Sequence, residues 1–205
     1  MTNKLVTITR TKSIFIVAGL FASLTTFFLI PAMGESQEAS LSSFGDAKVK
    51  VRLYTDYFCP PCRDMEPGLE PVVSELVRDK IVNLTFADTP FYKKSGLYVR
   101  YFLYAMNANK DLEHALFVRR SLIEAATSMI DSEEKLQTFL KEKKIALKPF
   151  DPKPTFDILS RYLKEDQIQS TPSCVIEVNG KTSKHVGGAD IISALNQLMQ
   201  KKSKR

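Results

Sequence analysis

Two cysteines separated by two prolines, Cys59-Pro60-Pro61-Cys62, follow an apolar-rich stretch at residues 49–58 and open a segment of helical character. No other feature restricts the fold as strongly. Two thiols at this spacing on a helix start can close a disulfide, exchange it with another protein and reopen. Proline is tolerated there because the amide hydrogen it lacks would have no partner in the first helical turn. The helix is expected over residues 60–79, and its interior Pro67 and Pro71 predict a bent or two-piece axis.

The start of the chain indicates the compartment. Lys4, Arg10 and Lys12, with no acidic residue among them, precede an almost uncharged run at residues 13–33, the layout of a Sec-type export signal. That run is long enough to cross a bilayer, while Ala32-Met33-Gly34 offers small residues at cleavage-like spacing. Residues 1–34 therefore read as a signal peptide or an N-terminal membrane anchor, with membrane contact through 13–33. Either way the chain from Glu35 onward faces an oxidising compartment, the periplasm or the outer face of the cytoplasmic membrane, where cysteine pairs perform disulfide chemistry. Residues 35–46, rich in Ser, Glu and Gly, read as a linker. The formal charge of +6 falls by three, to +3, without the leader, an excess too small and dispersed for nucleic acid. The basic tail at 201–205 reads as a fraying helix end. About 170 residues remain, enough for one well-buried domain.

Residues 48–53 alternate charged and apolar side chains, as a strand with one buried face does. Ile81, Val82, Leu84 and Phe86 predict a second strand, and a strand-helix-strand unit of this length favours parallel pairing. The dithiol then lies at the carboxyl end of a strand, where α/β sheets build their sites. From residue 92 to about 167 the period becomes helical, with Tyr98, Phe102, Ala105 and Met106, then Leu112, Ala115, Leu116, Leu122, Ile123, Ala126 and Ile130, then Leu136, Phe139 and Leu140. Pro149, Pro152 and Pro154 precede a last short helix over 155–164. Strands return at 173–178 and 182–186 around Asn179-Gly180, a strong hairpin signal. Gly187-Gly188 leads into a closing helix with Ile191, Ile192, Leu195, Leu198 and Met199 on one face.

This order resembles the thioredoxin fold with an inserted helical domain, as in DsbA-like thiol-disulfide oxidoreductases. The residues that carry the resemblance are Tyr54-Thr55-Asp56-Tyr57-Phe58-Cys59-Pro60-Pro61-Cys62, Ile168-Gln169-Ser170-Thr171-Pro172-Ser173, Asn179-Gly180 and Gly188-Ala189-Asp190. It implies an α/β fold whose thioredoxin core occupies residues 47–91 and 167–200, with a helical insertion at 92–166 between the second strand and the cis-proline loop. Cys59 would be the exposed, attacking sulfur and Cys62 the more buried, resolving one. Thr171-Pro172 would be a cis peptide facing the dithiol, where the substrate backbone pairs. Cysteine-containing protein substrates, a redox partner that resets the dithiol and the absence of any cofactor follow from the same resemblance. Two departures matter. The family's buried acid six residues before the first cysteine is Leu53 here, which leaves Asp56, water or another acid to handle protons. Pro61 replaces the histidine of strongly oxidising members and can supply neither charge nor an amide hydrogen.

Exchange needs a thiolate near neutral pH. Unpaired amides and the positive end of the helix dipole favour it at Cys59, and Arg63 adds charge if it turns that way. A stabilised thiolate makes the disulfide a stronger oxidant, by about 30 mV for each 1.4 kcal/mol. Pro60 and Pro61 therefore tune direction, and Pro61 moves the expectation towards a reductase or an intermediate potential. Tyr57 and Phe58 flank the dithiol, and at least one is expected to form an apolar rim for unfolded or peptide substrates. The same thiols admit a second use, as a copper or zinc carrier. A closed zinc site would need ligands from Cys174, His114 and His185, and Met65 is the nearest soft ligand for copper. Cys174 reads as a small buried hydrophobe in a strand, the two histidines as structural or exposed, and Tyr98, Tyr101, Phe102 and Tyr104 as packing residues.

Overall fold

A computed structural model describes residues 41–203. The leader, the first part of the linker and the end of the basic tail lie outside the described residues. Among those described, β1 (Ser43–Phe44) precedes the unit β2 (Val49–Thr55), α1 (Pro60–Arg78) and β3 (Val82–Asp88). A helical block follows, comprising α2 (Ser95–Ala108), α3 (Leu112–Thr127), α4 (Glu133–Glu142) and α5 (Lys153–Glu165). The chain returns to the sheet with β4 (Ser173–Val178) and β5 (Lys181–Val186) and closes with α6 (Gly188–Ser203). The helical insertion thus stands between the second strand of the expected unit and the cis-proline loop, and α6 takes in the first part of the tail.

The strands form one sheet in the order β1-β3-β2-β4-β5. β2 pairs parallel with β3 and antiparallel with β4, and the Asn179-Gly180 turn joins β4 to β5 with φ of 51° and 77°. Positive φ at both positions suits the right-handed twist of a hairpin, and a short polar side chain or none tolerates it.

Part of the expected linker belongs to the sheet. β1 pairs antiparallel with β3, and Phe44 enters the core edge-on to Phe86 with ring centroids 5.7 Å apart. Gly45 makes the return possible. Its φ is +86°, and a Cβ there would lie 2.5 Å from the Val82 carbonyl oxygen. A two-residue strand is too short to show a period in the sequence.

Helix α1 is one continuous helix rather than two pieces. Pro67 and Pro71 are both exposed and stand four residues apart, on one face of the helix. The carbonyls that lose a partner there can turn to water, while Cys62, Met65, Leu69, Val73 and Leu76 pack inward.

Alternation along β2 assigns the two faces of the sheet. Val51 and Leu53 join the large core with α1, α2, α3 and α6, including Leu69, Leu84, Phe86, Tyr98, Phe102, Leu122 and Leu195. Tyr54 points the other way and joins Leu41, Ala87, Leu159, Ile168 and Val175 under α5. Arg52 shares the α5 face. Its Nε and Nη2 donate to the Asp166 carboxylate at 2.6 and 2.9 Å, and the Tyr54 hydroxyl donates to the same group. Asp166 caps the end of α5, so this junction anchors the segment that leads into Thr171-Pro172. The ends of the insertion helices are set locally: the side chains of Asp111 and Ser132 accept from the amides of His114 and Lys135, caps worth about 1 kcal/mol each.

Candidate active site: a dithiol at a helix start

Cys59 is the N-cap of α1, with extended backbone angles. Its amide donates to the Asp56 carbonyl at 3.1 Å, and its carbonyl accepts from the amides of Cys62 and Arg63 at 3.1 and 3.2 Å. The two prolines between the cysteines are exposed and occupy the positions where a helix has no use for an amide hydrogen. The Cys59 thiol donates to the Thr171 carbonyl at 3.3 Å, and Thr171-Pro172 is a cis peptide. The dithiol and the cis-proline loop therefore meet although 112 residues separate them.

Cys59 is not the exposed sulfur that the resemblance implies. Both cysteines are buried, each with 3% of its surface accessible. The Cys59 thiol lies against the Thr171 carbonyl of the cis-proline loop. The Cys62 thiol holds its proton tightly. Burial pushes its thiol up to about 12, and the hydrogen bond with Cys59 acts in the same direction, while contacts with Asp56 and Thr171 oppose them. At neutral pH Cys62 stays protonated.

Tyr57 is buried as well, so it cannot form a rim. Its hydroxyl donates to Asp88 Oδ2 at 2.7 Å. Phe58 is half-buried and packs edge-on to Tyr98 with centroids 4.7 Å apart. Exposed aromatic surface comes instead from Phe91 and Tyr92, 46% and 47% accessible, in the loop after β3. Asp56 explains their placement. Its buried carboxylate accepts from the amides of Phe58 at 2.8 Å, Phe91 at 2.9 Å and Tyr92 at 3.3 Å, and from the Ser95 hydroxyl at 2.7 Å. The residue expected to handle protons thus ties the dithiol loop to the aromatic loop, with its oxygens occupied by donors. Arg63, expected to add charge at Cys59, places its Nη1 3.5 Å from Thr127 Oγ1 at the end of α3.

A sequence model of the thioredoxin family matches residues 45–196, most of the chain and all of the site just described. The chain belongs to the thioredoxin family. None of the curated proteins matches it in sequence. Solved structures share its fold at low identity. A periplasmic thioredoxin-like protein from Salmonella enterica serovar Typhimurium superposes with a TM-score of 0.60 at 17% identity, covering 80% of this chain and 91% of that one. ScsC of Proteus mirabilis, in a transitional conformation, gives 0.62 at 22% identity over 80% of this chain and 71% of its own. The thiol-disulfide exchange protein alpha-DsbA2 from Wolbachia pipientis gives 0.52 at 15% identity, over 78% and 86%.

The remaining sequence candidates of this thioredoxin-family chain fall outside the site. Cys174 is fully buried in β4 opposite Leu53, and burial pushes its thiol up to about 12. Met65 packs against Gly188, where a Cβ would lie 3.1 Å from the methionine Cβ. His185 pairs with Asp190, Nδ1 to Oδ2 at 3.2 Å. Among the described residues no three His, Cys, Asp or Glu side chains converge as metal ligands, and no helix is long and apolar enough to cross a membrane.

Sequence reasoning missed a buried ionic cluster of Arg119, Glu66 and Asp88, which also holds Thr55 and Tyr57. A signal was present. Arg119 stands three residues from both Leu116 and Leu122, and Glu66 is four from Cys62 and three from Leu69, so both lie on apolar stripes. A charged residue inside such a stripe is buried with a partner or not buried at all.

Proposed function

We propose that this protein is an exported protein thiol-disulfide oxidoreductase working through Cys59 and Cys62, with a potential in the reductase or intermediate range. The observation that carries this reading is the Cys59 thiol held 3.3 Å from the carbonyl of Thr171, before the cis proline. Because Cys62 keeps its proton, Cys59 starts the reaction. Once deprotonated, its sulfur has no hydrogen to donate, and the Thr171 carbonyl oxygen repels it outward towards the substrate. The Cys59 thiolate attacks one sulfur of a substrate disulfide, which breaks and releases one substrate thiolate. Cys62 then loses its proton and attacks Cys59 in the mixed disulfide, releasing the second substrate thiolate. Two electrons pass to the substrate, and the enzyme is left with a Cys59–Cys62 disulfide that a dithiol partner must reduce. The reverse sequence oxidises a substrate dithiol.

The double proline supports the lean in direction. Pro60 and Pro61 bring no amide hydrogens to the helix start, and the amides of Cys62 and Arg63 already donate to the Cys59 carbonyl. The sulfur draws on few backbone donors, which favours a less oxidising disulfide. Phe58, with Phe91 and Tyr92 on the loop that Asp56 ties to it, supplies an apolar surface for unfolded polypeptide. The leader-like sequence and the periplasmic relative support export. Trapping with Cys62→Ala tests the reading, because an attacking Cys59 accumulates mixed disulfides with cysteine-containing proteins. Their absence from Cys62→Ala, or an equal yield from Cys59→Ala, would refute it. Equilibration with glutathione buffers decides direction.

A further inference from the structure

Arg119 is 1% exposed and belongs to α3 of the helical insertion. Its Nε and Nη2 donate to Oε1 and Oε2 of Glu66 at 2.8 and 3.0 Å. Nη2 also donates to Thr55 Oγ1 at 3.0 Å, and Nη1 to Asp88 Oδ1 at 2.5 Å. The guanidinium lies over the Phe86 ring, 4.3 Å from its centroid. Asp88 accepts in addition from Thr55 Oγ1 at 3.1 Å and from the Tyr57 hydroxyl at 2.7 Å.

Every hydrogen-bonding partner in this cluster except Asp88 is within a few residues of the dithiol on the chain. Thr55 ends β2, Tyr57 stands two residues before Cys59, and Glu66 is one helical turn beyond Cys62 on the same side of α1. A planar fork that binds one carboxylate with two hydrogens and a second with another sets the distance between them, which a single ammonium group cannot do. A second bridge between α3 and α1, from Arg120 to Glu70, is more exposed and carries no hydrogen bond to Thr55, Tyr57 or Asp88. The same two helices are therefore joined by two ion pairs, and one of them reaches the flanks of both cysteines.

We propose that Arg119 is a positioning residue for the dithiol: by holding Glu66, Asp88 and, through Asp88, Tyr57 in one frame, it lets the helical insertion set the balance between the Cys59–Cys62 disulfide and its reduced form. The proposal rests on the exchange reading above. Closing the disulfide replaces a thiol that donates to the Thr171 carbonyl by an S–S bond with no hydrogen to donate, and a rigid frame around both flanks bears on the balance between the two forms.

The test uses the full-length chain. Wild type, Arg119→Lys, Glu66→Gln and Arg120→Ala are equilibrated in glutathione buffers, where the protein disulfide and two glutathione thiols interconvert with the protein dithiol and one glutathione disulfide. Thermal unfolding identifies the variants that are folded. Arg119→Lys keeps the charge and loses the fork; Glu66→Gln keeps the shape and decides the matter if the lysine variant does not fold. Each is expected to move the equilibrium constant about tenfold, close to 30 mV, while Arg120→Ala moves it less than about twofold. Folded Arg119→Lys and Glu66→Gln at the wild-type constant would overturn the proposal, as would an equal shift from Arg120→Ala, which would make helix docking in general the cause. A wild-type dithiol that does not exchange with glutathione overturns the oxidoreductase reading itself, before any variant is compared.

Discussion

Replacing Asp56 by alanine removes the acceptor for three backbone amides and one hydroxyl at once. A buried donor left without a partner costs about 1–3 kcal/mol. Water can reach the half-exposed loop at residues 91–92, so the low end applies, and four donors sum to about 4 kcal/mol. For a domain of this size each kcal/mol is worth about 2–4 °C, and the melting temperature of Asp56→Ala should fall by about 8–16 °C. Asp56→Asn keeps one carbonyl oxygen but turns an NH2 group towards some of the same donors, and should lose about half as much. Urea unfolding of the reduced protein measures both, and hydrogen exchange at the amides of Phe91 and Tyr92 should accelerate in parallel. A loss below about 1 kcal/mol in Asp56→Ala would refute the reasoning. The asparagine variant also separates the structural role from proton transfer: a proton carrier at position 56 would give slower disulfide exchange with stability intact, whereas a loop anchor gives the reverse.

Three further outcomes follow from the geometry. In the native reduced state at neutral pH Cys174 should not react with thiol reagents, since it is fully buried and its thiol is pushed up to about 12; the count of alkylated cysteines by mass spectrometry before and after unfolding checks this. The Cys62 thiol is likewise held above its ordinary value of 9.0, so its contribution to the stability of the reduced form is complete below pH 9 and lost as pH rises from 9 towards 12. Unfolding free energies at pH 8 and 10.5 should show that decline, which the raised thiol of Cys174 shares, and Cys62→Ala should make it shallower without abolishing it. Gly45→Ala should cost about 1–3 kcal/mol, because an alanine would be strained at φ +86° and its Cβ would meet the Val82 carbonyl; a melting temperature equal to wild type would contradict the pairing of β1.

Much of the core was legible because its elements repeat. The amphipathic stripes of α2, α3, α4 and α6 and the Asn179-Gly180 hairpin are local patterns, and each appeared where its periodicity or turn chemistry placed it. What escaped was made by tertiary contact. β1 is held by a glycine turn and by Phe44 reaching Phe86, neither of which has a period. The two prolines of α1 predict a break only if their solvent exposure is unknown. Leu53 stands where the family usually places its buried acid. Besides Asp56, two acids are buried among the described residues, Glu66 and Asp88, which come from other elements and depend on Arg119, some thirty residues or more away in the chain. The Cys59 thiol meets the Thr171 carbonyl, a pairing that only the closed sheet creates. Asp56 belongs to the same class, since its role is set by amides 35 and 36 residues further along.

The guanidinium of α3 has a consequence for how this protein can be divided. A thioredoxin-like remnant made by excising residues 92–166 and joining the flanks would retain every strand, both cysteines and the cis proline, yet it would leave two carboxylates stranded in a dry interior without a cation. Such a remnant must flood its interior with solvent or hold those acids protonated. In this chain the helical block supplies the counterion for acids carried by α1 and the sheet.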